Sequence, residues 1–117
     1  MNRLRRLALA ATLPAAVLAA CGGSGPAATP ATVSVSASEY AFDPAAITIP
    51  ASGATVTLTN GGIVEHDITV DALNVKILAK AGETAEGQVS GAAGTYEFYC
   101  SIPGHKEAGM LGTLTLE

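Results

Sequence analysis

From position 32 onward, apolar and polar side chains alternate with a period of two, and turn residues interrupt the pattern every few positions. Such a chain builds strands, because successive side chains on a strand point to opposite faces. Val33 and Val35 alternate with Thr32, Ser34 and Ser36, and Ile47 and Ile49 flank Thr48 between Pro44 and Pro50. Val56 and Leu58 alternate with Thr55, Thr57 and Thr59 until Asn60-Gly61-Gly62, a turn signal. Val64, His66, Ile68 and Val70 share one parity, and Glu65, Asp67, Thr69 and Asp71 the other. Val75 and Ile77 mark a short piece, and Thr84 to Val89 a weaker strand after Ala81-Gly82. Tyr96, Phe98 and Cys100 share a face, as do Met110, Leu114 and Leu116. No stretch holds a 3.6-residue period over three turns, although residues 71–80 would accommodate a helical turn. Six to eight short strands at this spacing predict an all-β sandwich or barrel, and 117 residues leave room for one such domain.

A mean hydropathy of +0.38 hints at membrane, but the apolar excess is concentrated before the alternation begins. Residues 1–20 hold all three arginines, no acid, and an uncharged run from Leu7 to Ala20. That run is too short for a bilayer span, which needs about 20 residues, and Pro14 interrupts it. A basic start, a short apolar run and small residues at its end predict a secretory signal peptide over 1–20. Arg5-Arg6 is a weak twin-arginine signal. Leu18-Ala19-Ala20-Cys21 resembles the bacterial lipobox, which implies lipid attachment at Cys21; the plainer alternative is an ordinary cleavage site before a Cys. Residues 22–31 carry no charge and no large apolar side chain, so 21–31 reads as a lipidated Cys and flexible tether before a domain at 32–117. The expected location is exported, anchored on the outer face of the cytoplasmic membrane or elsewhere in the periplasm or cell envelope.

The charge of −4 excludes the basic footprint of a nucleic-acid binder. Without residues 1–20 it becomes −7, three lysines against all ten acids. If Cys21 carries lipid, Cys100 is alone in an oxidising compartment and must be buried or bound; a Cys21–Cys100 disulfide is the less economical alternative.

The scarce residues carry the chemistry. Setting aside Met1 and Cys21, the only His, Cys and Met side chains are His66, Cys100, His105 and Met110, the last three spaced C-x4-H-x4-M. Parity turns His66, Cys100 and Met110 toward the core side, and the loop after Cys100 adds His105. Taken singly, His66 would be a satisfied core histidine and Met110 core filler. Together they form a soft N/S set suited to copper: two imidazoles and a thiolate with a weak thioether. Structural zinc prefers four strong ligands, and calcium or magnesium wants oxygen donors.

Residues 39–117 resemble the cupredoxins, the plastocyanin and azurin family of type 1 copper proteins. The resemblance rests on Tyr40-Ala41-Phe42-Asp43-Pro44 before Ile47-Thr48-Ile49-Pro50, on Asn60-Gly61-Gly62 leading into His66, and most strongly on Gly94-Thr95-Tyr96-Glu97-Phe98-Tyr99-Cys100 with the loop behind it. The loop spacing is most similar to the auracyanin and rusticyanin branches. The resemblance implies a Greek-key sandwich carrying one electron on one type 1 copper ion, with His66, Cys100 and His105 as equatorial ligands and Met110 as the axial one. Two positions depart from the family. Asp67 stands where Asn or Ser often ties two ligand loops together, and Glu65 stands where azurin has a Gly before the first His.

An enzymatic alternative pairs Cys100 with His66 or His105 as nucleophile and base, but nothing in so small a loop supplies a substrate cleft or oxyanion donors. A nitrite reductase would need a second copper and further histidines, and none is left. A copper carrier or storage protein is the other alternative, though such proteins favour exposed Met- and His-rich tracts. The electron-carrier reading predicts a monomer whose redox partner, such as a cytochrome or a terminal oxidase or reductase, docks near His105. Ile102, Pro103, Gly104, Ala108, Gly109, Leu111 and Ile63 would form an apolar patch there, interrupted by Lys106 and Glu107. Ordinary loop packing explains the same residues equally well.

Overall fold

The computed structural model describes residues 30–117; the expected signal peptide, Cys21 and most of the tether fall outside the described residues. Nine strands follow one another: β1 (Ala31–Ser38), β2 (Ala41–Asp43), β3 (Ala46–Ile49), β4 (Ala54–Asn60), β5 (His66–Val70), β6 (Val75–Ala79), β7 (Thr84–Val89), β8 (Gly94–Tyr99) and β9 (Leu111–Leu116). The only helical piece among the described residues is a 3-10 turn, Asp71–Leu73, where a helical turn was allowed for. The strand count exceeds the expected range by one. The addition is β2, three residues with a single buried side chain, Phe42, too short to show alternation in sequence.

The strands form two sheets, ordered β2-β1-β4-β7 and β3-β9-β8-β5-β6. Parallel pairs β1/β4 and β3/β9 mix with antiparallel neighbours. The connections β2–β3, β3–β4, β4–β5, β6–β7 and β7–β8 all cross between sheets, which gives the expected all-β Greek-key sandwich. Val35, Ala37, Val56, Leu58 and Val89 from the first sheet meet Ile47, Ile49, Ile68, Val70, Ile77, Phe98, Leu114 and Leu116 from the second. Each large apolar side chain buried there contributes about 1.5–3 kcal/mol.

Most strands keep the alternation their sequences announce; in β4, Ala54, Val56, Leu58 and Asn60 are buried while Thr59 is exposed. β5 does not. All five of its residues, from His66 to Val70, are buried. Asp67 and Thr69, which parity assigns to the outer face, are covered there by the segment after β8: the backbone N–H and the hydroxyl of Ser101 both donate to the Asp67 carboxylate. β5 thus lies between two layers at the end of the sandwich where His66 enters.

Candidate metal centre

Three connections meet at that pole. The β4–β5 turn leads into His66, the first residue of β5. The β8–β9 loop begins at Cys100, directly after β8, and ends at Met110, directly before β9. The β1–β2 turn supplies Glu39 and Tyr40. Asn60 braces the first of these from within: its Nδ2 donates to the Val64 and Ala79 carbonyls at 2.8 and 3.0 Å, and its Oδ1 accepts from Gly62 N at 2.8 Å. The β8–β9 loop closes on itself, with Met110 N donating to His105 O at 3.1 Å and Cys100 N to Met110 O at 3.2 Å.

All four sequence-predicted donors are buried, His66, Cys100 and Met110 completely and His105 to 8 % exposure. One ligand atom from each of His66, Cys100 and His105 lies within 4.8 Å of the others. His66 Nδ1 is 3.2 Å from His105 Nδ1, and Cys100 Sγ is 3.4 Å from His105 Nδ1 and 4.0 Å from His66 Nδ1. Donors around a first-row metal, with bonds of about 2.0 Å to nitrogen and about 2.3 Å to sulfur, stand roughly 3–4 Å apart. The separations fit one ion. Thiolate and imidazole suit both zinc and copper, and a thioether as fourth donor, which Met110 would supply, favours copper.

Cys100, the one cysteine among the described residues, is a free thiol. Burial pushes its pKa up, and bonds from the backbone N–H groups of Asp67 and Ile102 offset part of that rise. The Asp67 N–H lies 3.4 Å from Sγ. A metal that takes the thiolate therefore displaces a tightly held proton.

Two residues that periodicity could not single out complete the setting. Asp67, a position where the family's tie between ligand loops was in question, makes that tie through Ser101, and Thr69 Oγ1 donates to its Oδ1 at 2.9 Å. Glu39, in a turn that no alternation reads, places Oε1 3.0 Å from His66 Nε2. Lys106, expected with Glu107 to interrupt the apolar patch, has two contacts of its own. Its Nζ is 2.9 Å from Glu97 Oε1 and 4.3 Å from the centre of the Tyr99 ring.

Comparison with known proteins agrees with the geometry. A family model described as a cupredoxin-like domain matches residues 9–115. Among solved structures, auracyanin A, a "blue" copper protein from the green thermophilic photosynthetic bacterium Chloroflexus aurantiacus, superposes with a TM-score of 0.66 at 25 % identity, covering 76 % of this chain and 100 % of that one. Dithionite-reduced auracyanin from the photosynthetic bacterium Roseiflexus castenholzii gives 0.66 at 22 % identity, over 74 % of this chain and 96 % of that one. A mutant plastocyanin of fern gives 0.57 at 29 % identity, over 73 % and 100 %. No curated protein matches the chain.

Proposed function

We propose that this chain, which belongs to the cupredoxin-like domain family, is an exported one-electron carrier that works from a lipid tether at Cys21. Its cofactor is one copper ion. The observation that carries the reading is the convergence of His66 Nδ1, His105 Nδ1 and Cys100 Sγ in one buried cluster. Copper supplies a Cu(I)/Cu(II) couple when bound.

The chain's own residues do the rest. Cys100 gives up its proton and offers a thiolate, and His66 and His105 offer neutral imidazole nitrogens. Met110, buried directly before β9, is the weak fourth donor. Strand ends and short hydrogen-bonded turns hold these groups, so few atoms move as one electron arrives or leaves. The buried pole keeps water out, which suits a site that must retain its metal in both charge states.

His105, at 8 % exposure against 0 % for His66, is the imidazole nearer to solvent and the exit we assign to the electron. Tyr40 packs on it edge-on, with ring centres 4.9 Å apart. Tyr40, Ile63, Val64 and Leu111 are exposed, and a small apolar surface of this kind favours brief docking. The partner is a redox protein, a cytochrome or a terminal oxidase or reductase, presenting a basic face to this acidic chain. Among the described residues no helix is long and apolar enough to cross a membrane; attachment rests on the lipobox-like Leu18-Ala19-Ala20-Cys21.

The test is a visible spectrum of the purified protein after addition of Cu(II). The expected result is an intense thiolate-to-copper band that bleaches on reduction and returns on oxidation. A colourless Cu(I) site that hands its metal on would mean a copper carrier instead.

A further inference from the structure

The β1–β2 turn touches both donor imidazoles: Tyr40 packs edge-on against His105, and Glu39 reaches His66. The second contact is the more specific. Glu39 Oε1 accepts from His66 Nε2 at 3.0 Å, from Ile63 N at 3.0 Å and from Val64 N at 3.3 Å. The carboxylate fits because position 62 lacks a side chain; a Cβ on Gly62 would overlap Oε1 and stand 2.8 Å from Cδ.

His66 has two ring nitrogens with different tasks. Nδ1 faces His105 and Cys100, and Nε2 faces Glu39. A carboxylate accepts only, so Nε2 must carry the hydrogen and Nδ1 must keep its lone pair for a metal. Hydrogen bonding of a ligand imidazole to a carboxylate also raises its basicity as a donor.

We propose that Glu39 is a positioning and tuning residue of the copper site, which fixes the Nε2–H tautomer of His66 and biases the bound ion toward Cu(II). The inference rests on the copper reading above and adds a residue outside the four donors. Glu39 acts through His66; the side chain places no oxygen in the donor cluster.

The test compares the wild-type protein with E39Q, which keeps an acceptor of nearly the same shape but no charge. Three quantities are read: the midpoint potential, the Cu(II) dissociation constant, and the 15N shifts of His66 in the metal-free protein. E39Q is expected to weaken Cu(II) about tenfold relative to Cu(I), a rise of about 59 mV in potential for a one-electron couple. In metal-free E39A the His66 signals should move from the Nε2–H form toward a tautomer mixture. A wild-type protein that colours, with an unmoved potential in E39Q and an unmoved tautomer in E39A, overturns this inference alone. A wild-type protein that never colours overturns the electron-carrier reading beneath it.

Discussion

Ser101 donates twice to Asp67, from its backbone N to Oδ1 at 2.8 Å and from its Oγ to Oδ2 at 2.5 Å. The residue after one donor, His66, is thereby bound to the residue after another, Cys100. Asp67 is fully buried, so its removal leaves the Ser101 and Thr69 donors without their acceptor. Asp67→Ala should cost about 1–3 kcal/mol in thermal or urea unfolding and weaken copper retention. Asp67→Asn should recover most of the loss, because Oδ1 still accepts from Ser101 N and Thr69 Oγ1 and the new amide donates to Ser101 Oγ. Equal losses in the two variants would mean that charge, and not the tie, holds the loops.

Phe98 and Gly112 are cross-strand partners on β8 and β9. The Phe98 ring is fully buried and lies over the bare Cα; a Cβ on Gly112 would overlap Cζ and Cε1 and stand 2.6 Å from Cε2. Gly112→Ala should therefore destabilise by about 1–3 kcal/mol through overpacking. In the double variant with Phe98→Leu the loss should fall short of the sum of the single losses, since the smaller side chain vacates the clash. Additive losses would show that the two positions do not share this space.

The donor set was legible because its residue types are scarce and because parity turns His66, Cys100 and Met110 inward. The sandwich was legible for the same reason: Val56 and Leu58, or Leu114 and Leu116, carry a period that one buried face imposes. Asp67 and Thr69 broke the pattern, since what covers their outer face is the Ser101 segment, far away in sequence. β2 and Glu39 left no signal either. A three-residue strand is too short for a period, and a turn acid that points at a distant imidazole looks like any solvated acid until the turn is placed in space.

Copper loading should depend on pH in a direction set by Cys100. Burial raises the thiol pKa above its ordinary value of 9.0, so the metal-free protein keeps that proton at neutral pH. Binding as thiolate releases it. Apparent Cu(II) affinity should fall about tenfold for each unit that pH drops between 8 and 7, with one proton released per copper on loading in weak buffer. A flat affinity over that interval would mean a thiol already ionised before the metal arrives.

Cys100→Ser should abolish the visible band, because no thiolate remains to donate charge to copper. Met110→Leu should keep it. Met110 is fully buried, and Leu conserves its volume at a cost below about 1.5 kcal/mol. An alkyl group offers no electron pair, so the more highly charged state loses a donor and the midpoint potential should rise. Cyclic voltammetry decides the matter, and an unchanged potential would remove Met110 from the ligand set.

Asn60, at 1 % exposure, uses both amide hydrogens and its oxygen: two donor bonds to the Val64 and Ala79 carbonyls and one acceptor bond from Gly62 N. Glu39 holds the same turn from its exposed side, through Ile63 N and Val64 N. Asn60→Ala should cost about 1–3 kcal/mol by leaving these backbone groups unpaired. Asn60→Asp should cost more at neutral pH although it is closer in shape. It keeps the bond from Gly62 N but sets a carboxylate oxygen against two carbonyl oxygens, where a donor is required. Lowering the pH should then restore part of the N60D stability, because a protonated carboxyl regains one donor. Urea midpoints of N60A and N60D at neutral and acid pH decide it. An N60D protein more stable than N60A at neutral pH would mean that the acceptor bond to Gly62, and not the donor pair, fixes the turn.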